Sequence, residues 1–296
     1  MKFFDKKDIF FNVQPNTKFM SENFLIKYEL TIYYILTFVC MGVGALISFI
    51  FQIEGFSVNN FDVVALILWI FMVFSPTYSA ILLTGINHGK DGLKELLSGY
   101  FKLKVSWKWW FGALALLLAP FLVCLIIALV SGGYTLPVEF TVSLLLVSIV
   151  FYFFSGPIAE EAGWRGFALP RMLKKRNATT ATLIQGVIWI FWHVPLVIVP
   201  ASSQATALWP VYATLVLLSN IILNWLYINS KGSLAVTILA HFCFNFGSTL
   251  IVTLLSLVPY MTFSIVGSVL GVFYLLVIYI FFSAKTYEPR SKQNKE

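Results

Sequence analysis

Charge is the property this sequence has least of. Only 11% of its 296 residues are charged, while 59% are hydrophobic, and the mean hydropathy is +0.86. A soluble domain would carry about 25% charged residues. Apolar runs of about 20 residues recur along the chain, as in transmembrane helices, without the strict polar–apolar alternation of a membrane β-barrel. The composition predicts an all-α, multi-pass protein of the cell membrane.

Several functional signatures are also missing. The chain has no zinc-finger spacing, RNP signature, Walker loop or HExxH helix, so its net charge of +7 does not indicate nucleic-acid binding. We interpret the excess of lysine and arginine as a topology signal and a contact with anionic lipid. Cys40, Cys124 and Cys243 all fall in apolar runs, so we expect small buried hydrophobic side chains and no disulfide framework. We expect no cleavable signal peptide.

The apolar runs predict a single membrane domain over residues 1–296 with about eight transmembrane helices. These spans are expected at about 30–52, 62–84, 108–130, 141–169, 182–200, 208–228, 233–256 and 262–284. All 20 lysines and arginines then fall on one side of the membrane. The opposite connections carry Glu54, Asp62 and Glu139 and no basic residue. Because basic loops stay inside, both the N and the C terminus are predicted to be cytoplasmic.

Three local features carry further expectations. Gly156 and Pro157 predict a kink in the fourth span, and Pro170 predicts its end. The segment DGLKELLSGYFKLKVSWKWW, residues 91–110, is expected to form an amphipathic helix at the membrane surface, with a plain connecting loop as the alternative. Asn220 and Asn224, four residues apart in the sixth span, are expected to form hydrogen bonds between helices.

Ionisable and polar groups inside apolar spans are costly and indicate function. They occur in three stretches: EEAGWR with Glu160, Glu161 and Arg165; WIFWH with His193; and HFCFN with His241 and Asn245. At a rise of about 1.5 Å per residue, Glu160, His193 and His241 lie about 12–16 Å from the cytoplasmic ends of their spans. We therefore expect them in one layer of the membrane.

The spacing within each helix predicts which of these polar side chains share a helix face. Glu161 and Arg165 are four residues apart and can pair along one helix face, which leaves Glu160, about 100° away, free for another role. His241 and Asn245 can face one cavity in the same way. Cys243 is expected to face away from that cavity.

Amide hydrolysis needs an activated water, donors for the oxyanion and a proton for the leaving amine. Glu160, alone or with His193, could hold and deprotonate a water, while His241 and Asn245 could donate to the oxyanion. Arg165 could neutralise Glu161 and hold the helix in place. Taken alone, the Glu161–Arg165 pair could equally be a structural ion pair.

The same three stretches resemble the motifs of the CPBP family, the CAAX-protease and bacteriocin-processing (Abi) intramembrane proteases, over about residues 90–255. That resemblance implies an eight-helix core and hydrolysis of peptide bonds by water. By the resemblance, Glu160 is the catalytic glutamate acting with His193, and His241 with Asn245 forms the oxyanion hole. Trp189 departs from the family pattern, where Phe or Tyr is commoner. The implied substrate is a peptide or membrane protein.

Alternatives stay open at this point. Glu160, His193 and His241 could instead ligate zinc in a metalloendopeptidase, although a glutamate-activated water needs no cofactor. A non-catalytic scaffold, for instance in bacteriocin immunity, could keep the fold and act by binding. A transporter would need carboxylates on a through path and usually an internal repeat, and we find neither.

Overall fold

The computed structural model describes residues 24–56, 62–116, 142–207 and 209–255, with 271–273, 275 and 279 beyond them. Every regular element in these ranges is helical, so the all-α prediction is confirmed for them. The longer helices are α1 Glu29–Ile50, α2 Val63–Val73, α3 Ser75–Ser98, α4 107–116, α5 Val142–Phe153, α6 Leu169–Lys175, α7 Ala178–His193, α8 Trp209–Asn229 and α9 Leu234–Leu255. Shorter helical turns are Phe24–Lys27, Gly99–Phe101, Val194–Ile198 and Ser203–Thr206.

Within the described residues, three helical stretches are long and apolar enough to cross a membrane. They are α1, α7 with the following turn (Ala178–Ile198) and α8, and the bent pair Val63–Val73 and Ser75–Phe101 adds a fourth if it counts as one span. Large apolar side chains on one face of α1, among them Ile35, Val39 and Leu46, are exposed and suited to lipid contact. The count of eight remains a prediction, because most of the expected third and last spans lies outside the described residues.

The second predicted span is not one straight helix. Asp62 caps the start of α2 by accepting from the Ala65 amide at 2.7 Å. The chain then bends by 54° between α2 and α3. Pro76 lies in the first turn of α3, where its missing N–H is tolerated. In a continuous helix Pro76 would clash with the turn before it, which explains the bend. A single span over 62–84 stays a prediction, because the bent pair can count as one broken span.

The segment before α4 is helical only in part. Within α3, Gly89 adopts a φ of 62°, so that residues 90–98 form a separate helical arm after a break. The chain continues through the turn Gly99–Phe101 and an irregular stretch to residue 107, where α4 begins. One helix over the whole of 91–110 is therefore wrong, while contact of this arm with the membrane surface remains a prediction.

The polar segment between α5 and α6 runs through two wide helical turns. A π-helical turn, Phe154–Ile158, contains Pro157 and is followed by three α-helical residues, Ala159–Glu161, and a second π-helical turn, Ala162–Ala168. The expected disturbance at Gly156 and Pro157 thus takes the form of a π turn. The expected end at Pro170 is wrong, because this proline lies in the first turn of α6, where the helix continues to Lys175.

This segment lies at the centre of the core. The Trp164 ring is fully buried and packs edge-on against the Trp192 ring, with centroids 5.7 Å apart. A Cβ atom on Gly163 would come within 2.5 Å of the Pro76 carbonyl oxygen, so the close approach of α3 requires glycine there. Buried rings and a backbone contact thus fix the segment against its neighbours.

A second polar cluster connects α6, which follows the π-helical segment, to the start of α1. The Arg171 Nε lies 2.8 Å from Oε1 of Glu29, and the Arg171 guanidinium stacks 3.6 Å from the centroid of the Phe167 ring. His88 of α3 approaches the other oxygen of Glu29 at 3.1 Å. This cluster joins α1, α3 and α6 at one end of the bundle.

Candidate active site

The two glutamates occupy the three-residue α-helical stretch between the π turns, and both are buried. Oε2 of Glu160 accepts the indole N–H of Trp164 at 3.1 Å and that of Trp189 at 2.8 Å. Trp164 comes from the next turn of the same segment, and Trp189 comes from α7. A carboxylate withdrawn from water is therefore stabilised by two neutral donors on one of its oxygens.

Glu161 and Arg165 form the ion pair that their spacing predicts. Nη1 of Arg165 donates to Oε1 of Glu161 at 2.8 Å, and both side chains are fully buried. The remaining guanidinium nitrogens donate to side-chain oxygens of α8, Nε to Asn224 at 3.1 Å and Nη2 to Asn220 at 3.0 Å. A buried charge pair is favourable only when its other polar groups find partners, and the two asparagines supply acceptors for two more of the five guanidinium N–H groups.

Asn220 and Asn224 in turn connect α8 to α7. The Asn220 amide donates to the Thr182 carbonyl at 2.8 Å, and the Asn224 amide donates to the side chains of Thr182 and Gln185. Gln185 donates to the backbone carbonyl of Trp164 at 2.6 Å, which closes the network on the glutamate-bearing segment. The predicted interhelical hydrogen bonds are confirmed, but their connection to Arg165 was not predicted.

His241 lies against the same glutamate. Because a carboxylate only accepts, Nδ1 of His241 donates to Oε1 of Glu161, at 2.8 Å. The His241 ring is also perpendicular to the Trp189 ring, with centroids 5.5 Å apart. These contacts fix the imidazole and leave its Nε2 for another partner.

Three polar atoms surround the space above Gly156. A Cβ atom on this glycine would lie 2.6 Å from Nδ2 of Asn245, 3.4 Å from Nε2 of His241 and 3.6 Å from Oε1 of Glu160. The missing side chain of this glycine therefore lets a carboxylate, an imidazole and a carboxamide meet at one point, the space above Gly156. The structure thus brings together three of the four groups expected in the catalytic set.

His193 stands next to this cluster without a hydrogen bond to Glu160 among the described residues. Its Nδ1 lies 2.8 Å from the carbonyl oxygen of Trp189, which can only accept, so Nδ1 carries a proton. In the neutral ring, Nε2 then has a free lone pair. The His193 ring packs against those of Trp192 and Tyr212, with centroids 4.9 and 5.6 Å away.

The tryptophan donors are the site residues that sequence reasoning missed. Trp164 stands four residues after Glu160, so helical spacing alone could have identified its contact. The contact from Trp189, 29 residues away, depends on how α7 packs and has no local signal. Across the described ranges, no three His, Cys, Asp or Glu side chains gather closely enough to hold a metal ion. Buried Cys243 is free and belongs to no such group.

Comparison with known proteins supports the resemblance noted from the motifs. Residues 141–247 match the family described as type II CAAX prenyl endopeptidase Rce1-like, and this range contains every candidate site residue. Over 129 residues the chain is 28% identical to CAAX prenyl protease 2 of Methanococcus maripaludis. The aligned region covers 41% of this chain and 45% of that protein. The chain thus spans less than half the length of this relative. Together with the apolar helices, the match identifies a multi-pass membrane protein.

Proposed function

We propose that this Rce1-like membrane protein is an intramembrane endopeptidase that hydrolyses peptide bonds near the cytoplasmic side of the membrane. The observation that carries the proposal is the space above Gly156, which is reached by Oε1 of Glu160, Nε2 of His241 and Nδ2 of Asn245. A general base and two oxyanion donors at one point are the components that water needs to attack an amide.

Glu160 and His193 activate the water in this proposal. Oε1 of Glu160 accepts one proton of the water, while Oε2 stays bound to the two indoles. His193 contributes Nε2 as an acceptor, because its Nδ1 proton is committed to the Trp189 carbonyl. In this proposal the water lies between these two acceptors.

His241 and Asn245 stabilise the oxyanion that forms when the water attacks the scissile carbonyl. The Asn245 amide supplies one N–H directly. Nε2 of His241 is the second group directed at this point, and Nδ1 of the same ring is held by Glu161.

The proton taken up by Glu160 then passes to the leaving amine, so that the peptide bond breaks without a covalent intermediate. We assign no step to a metal ion, because a water activated by a glutamate needs none. The substrate class is a peptide or membrane protein, and the similarity to a CAAX prenyl protease makes an S-prenylated CAAX peptide the first substrate to try.

The proposal is tested by cleavage of an internally quenched, S-farnesylated CAAX peptide by the full-length protein in detergent. Glu160→Gln removes the base without changing the shape of the side chain, and we expect kcat to fall by about 10²- to 10⁴-fold. Asp91→Asn is the matched control, since it makes the same chemical change at an exposed carboxylate of α3.

Each assay is run with and without phenanthroline. Cleavage that is lost in Glu160→Gln and indifferent to the chelator supports the glutamate mechanism. Loss on chelation that zinc restores would replace it with the zinc-dependent alternative, with Glu160, His193 and His241 as ligands. A Glu160→Gln protein that cleaves like the wild type would contradict the catalytic role and favour the non-catalytic scaffold, including a role in bacteriocin immunity.

A further inference from the structure

We infer that Trp189 is the positioning residue of the site, because its indole N–H and that of Trp164 hold Oε2 of Glu160 and leave Oε1 to act on water. This inference rests on the proposed endopeptidase function. It assigns different roles to the two oxygens of one carboxylate, and it gives a role to an aromatic side chain that contacts no reacting atom.

Trp189 contacts four groups at the centre of the site, Glu160, Arg165, His193 and His241. Its indole N–H donates to Glu160 at 2.8 Å, and the Arg165 guanidinium lies 4.6 Å from the centroid of its ring. Its ring edge meets the His241 ring at 90°, and its carbonyl oxygen lies 2.8 Å from Nδ1 of His193. Movement of this single residue would therefore disturb the base, the ion pair and both histidines.

Two donors on one oxygen break the symmetry of the carboxylate. A free glutamate can rotate about its terminal bond and exchange its two oxygens. The indole N–H groups, at 3.1 and 2.8 Å on Oε2, oppose that rotation. An indole only donates and does not release its proton, so Oε2 is occupied without being protonated. Oε1, which lies next to the Gly156 space, remains the oxygen able to accept a proton.

Trp189 also connects the two members of the proposed water-activating pair. Its side chain holds Glu160, and its backbone carbonyl selects the tautomer of His193 in which Nε2 accepts. Because His193 follows by one helical turn on α7, the two acceptors are positioned relative to each other by one rigid element. Substitution of the indole should therefore affect the rate of reaction rather than substrate binding.

The test compares kcat and KM of the full-length protein on the same S-farnesylated CAAX peptide. Trp189→Phe and Trp164→Phe each delete one N–H and keep an aromatic ring. We expect each variant to lower kcat by about 10- to 100-fold, the range typical when a residue that orients a functional group through a hydrogen bond is replaced. The KM should change by less than about threefold. The double variant should be slower than either single variant. Trp225→Phe is the control, since Trp225 is buried on α8 against Trp109.

Thermal unfolding of all four variants separates positioning from folding. A kcat within about twofold of wild type in Trp189→Phe, or an equal loss of kcat in Trp225→Phe at equal stability, would overturn the inference. If Trp189→Phe does not fold, Trp164→Phe decides alone, because it removes the other donor from the same oxygen. Glu160→Gln is measured in parallel. If that variant is inactive while both indole variants are normal, the inference fails and the proposed function stands.

Discussion

His241 donates from Nδ1 to Oε1 of Glu161, the same oxygen that accepts from Nη1 of Arg165, and both distances are 2.8 Å. Glu161 therefore orients an imidazole on one side and a guanidinium on the other. The two adjacent glutamates therefore have different roles, because Oε1 of Glu160 lies beside the Gly156 space and Glu161 holds its neighbours. Glu161 is a positioning residue in this interpretation, and Glu160 is the base.

Glu161→Gln should destabilise the protein and inactivate it. The substitution leaves the Arg165 charge buried without its counter-ion, which typically costs about 3–5 kcal/mol. It also weakens the acceptor that holds Nδ1 of His241. Thermal unfolding in detergent, followed by circular dichroism, measures the loss of stability, and Asp91→Asn serves again as the exposed control. A variant with wild-type melting temperature would contradict the role of the buried pair.

Gly156→Ala tests the space at the centre of the site. The new methyl group would meet Nδ2 of Asn245 at 2.6 Å and displace the polar groups around it. We expect cleavage of the farnesylated peptide to fall by at least about 100-fold while the protein still folds. Gly42→Ala is the matched control, because nothing lies within 4 Å of a Cβ atom there. Normal cleavage by Gly156→Ala would exclude this space as the reaction site.

Asn224→Ala tests the support of Arg165 from α8. The change removes one acceptor of the guanidinium and two donated hydrogen bonds to α7. We expect a loss of about 1–3 kcal/mol in stability, since buried groups are left without partners. Asn229→Ala is the control, because its amide only donates to the Trp225 carbonyl in a partly exposed position. Equal melting temperatures of the two variants would contradict this role.

The predicted orientation can be measured with reporter fusions. We expect green fluorescent protein at the C terminus to fluoresce, because it matures in the cytoplasm. Alkaline phosphatase, which is active only outside, should be active when fused after Glu54 and inactive when fused after Arg176. Activity after Arg176 would contradict the positive-inside assignment, by which all 20 basic residues lie on the cytoplasmic side.

Local spacing was sufficient to predict some of the site. The pairing of Glu161 with Arg165 depends only on helical periodicity, and the chain forms it. The meeting of Glu160 with His241 and Asn245 followed from similar depths in separate spans, which needs only span ends and a helical rise. These inferences succeed because a membrane restricts each span to one direction and one geometry.

Other contacts could not be read from the sequence because they depend on tertiary packing. Glu29 and Arg171 are 142 positions apart, and Trp189 reaches Glu160 only because α7 packs against the π-helical segment. The sequence prediction ran one span through Pro76 and its polar neighbours Ser75 and Thr77, and so missed the bend at Phe74. The two π turns were also missed, because no characteristic amino-acid pattern marks the wider hydrogen bonding of a π turn.

Those two wide turns restrict how the chain can change in length. A π turn holds an extra residue, and deletion of one residue from Ala162–Ala168 would restore an ordinary α-helix. The residues beyond the turn would keep their direction, because a π turn absorbs its extra residue without changing the helical register that follows. Arg171 would still face Glu29, but a deletion at Ala162 would place Trp164 three residues after Glu160 instead of four. A single-residue deletion therefore alters the donors of the site while its attachment to α1 remains.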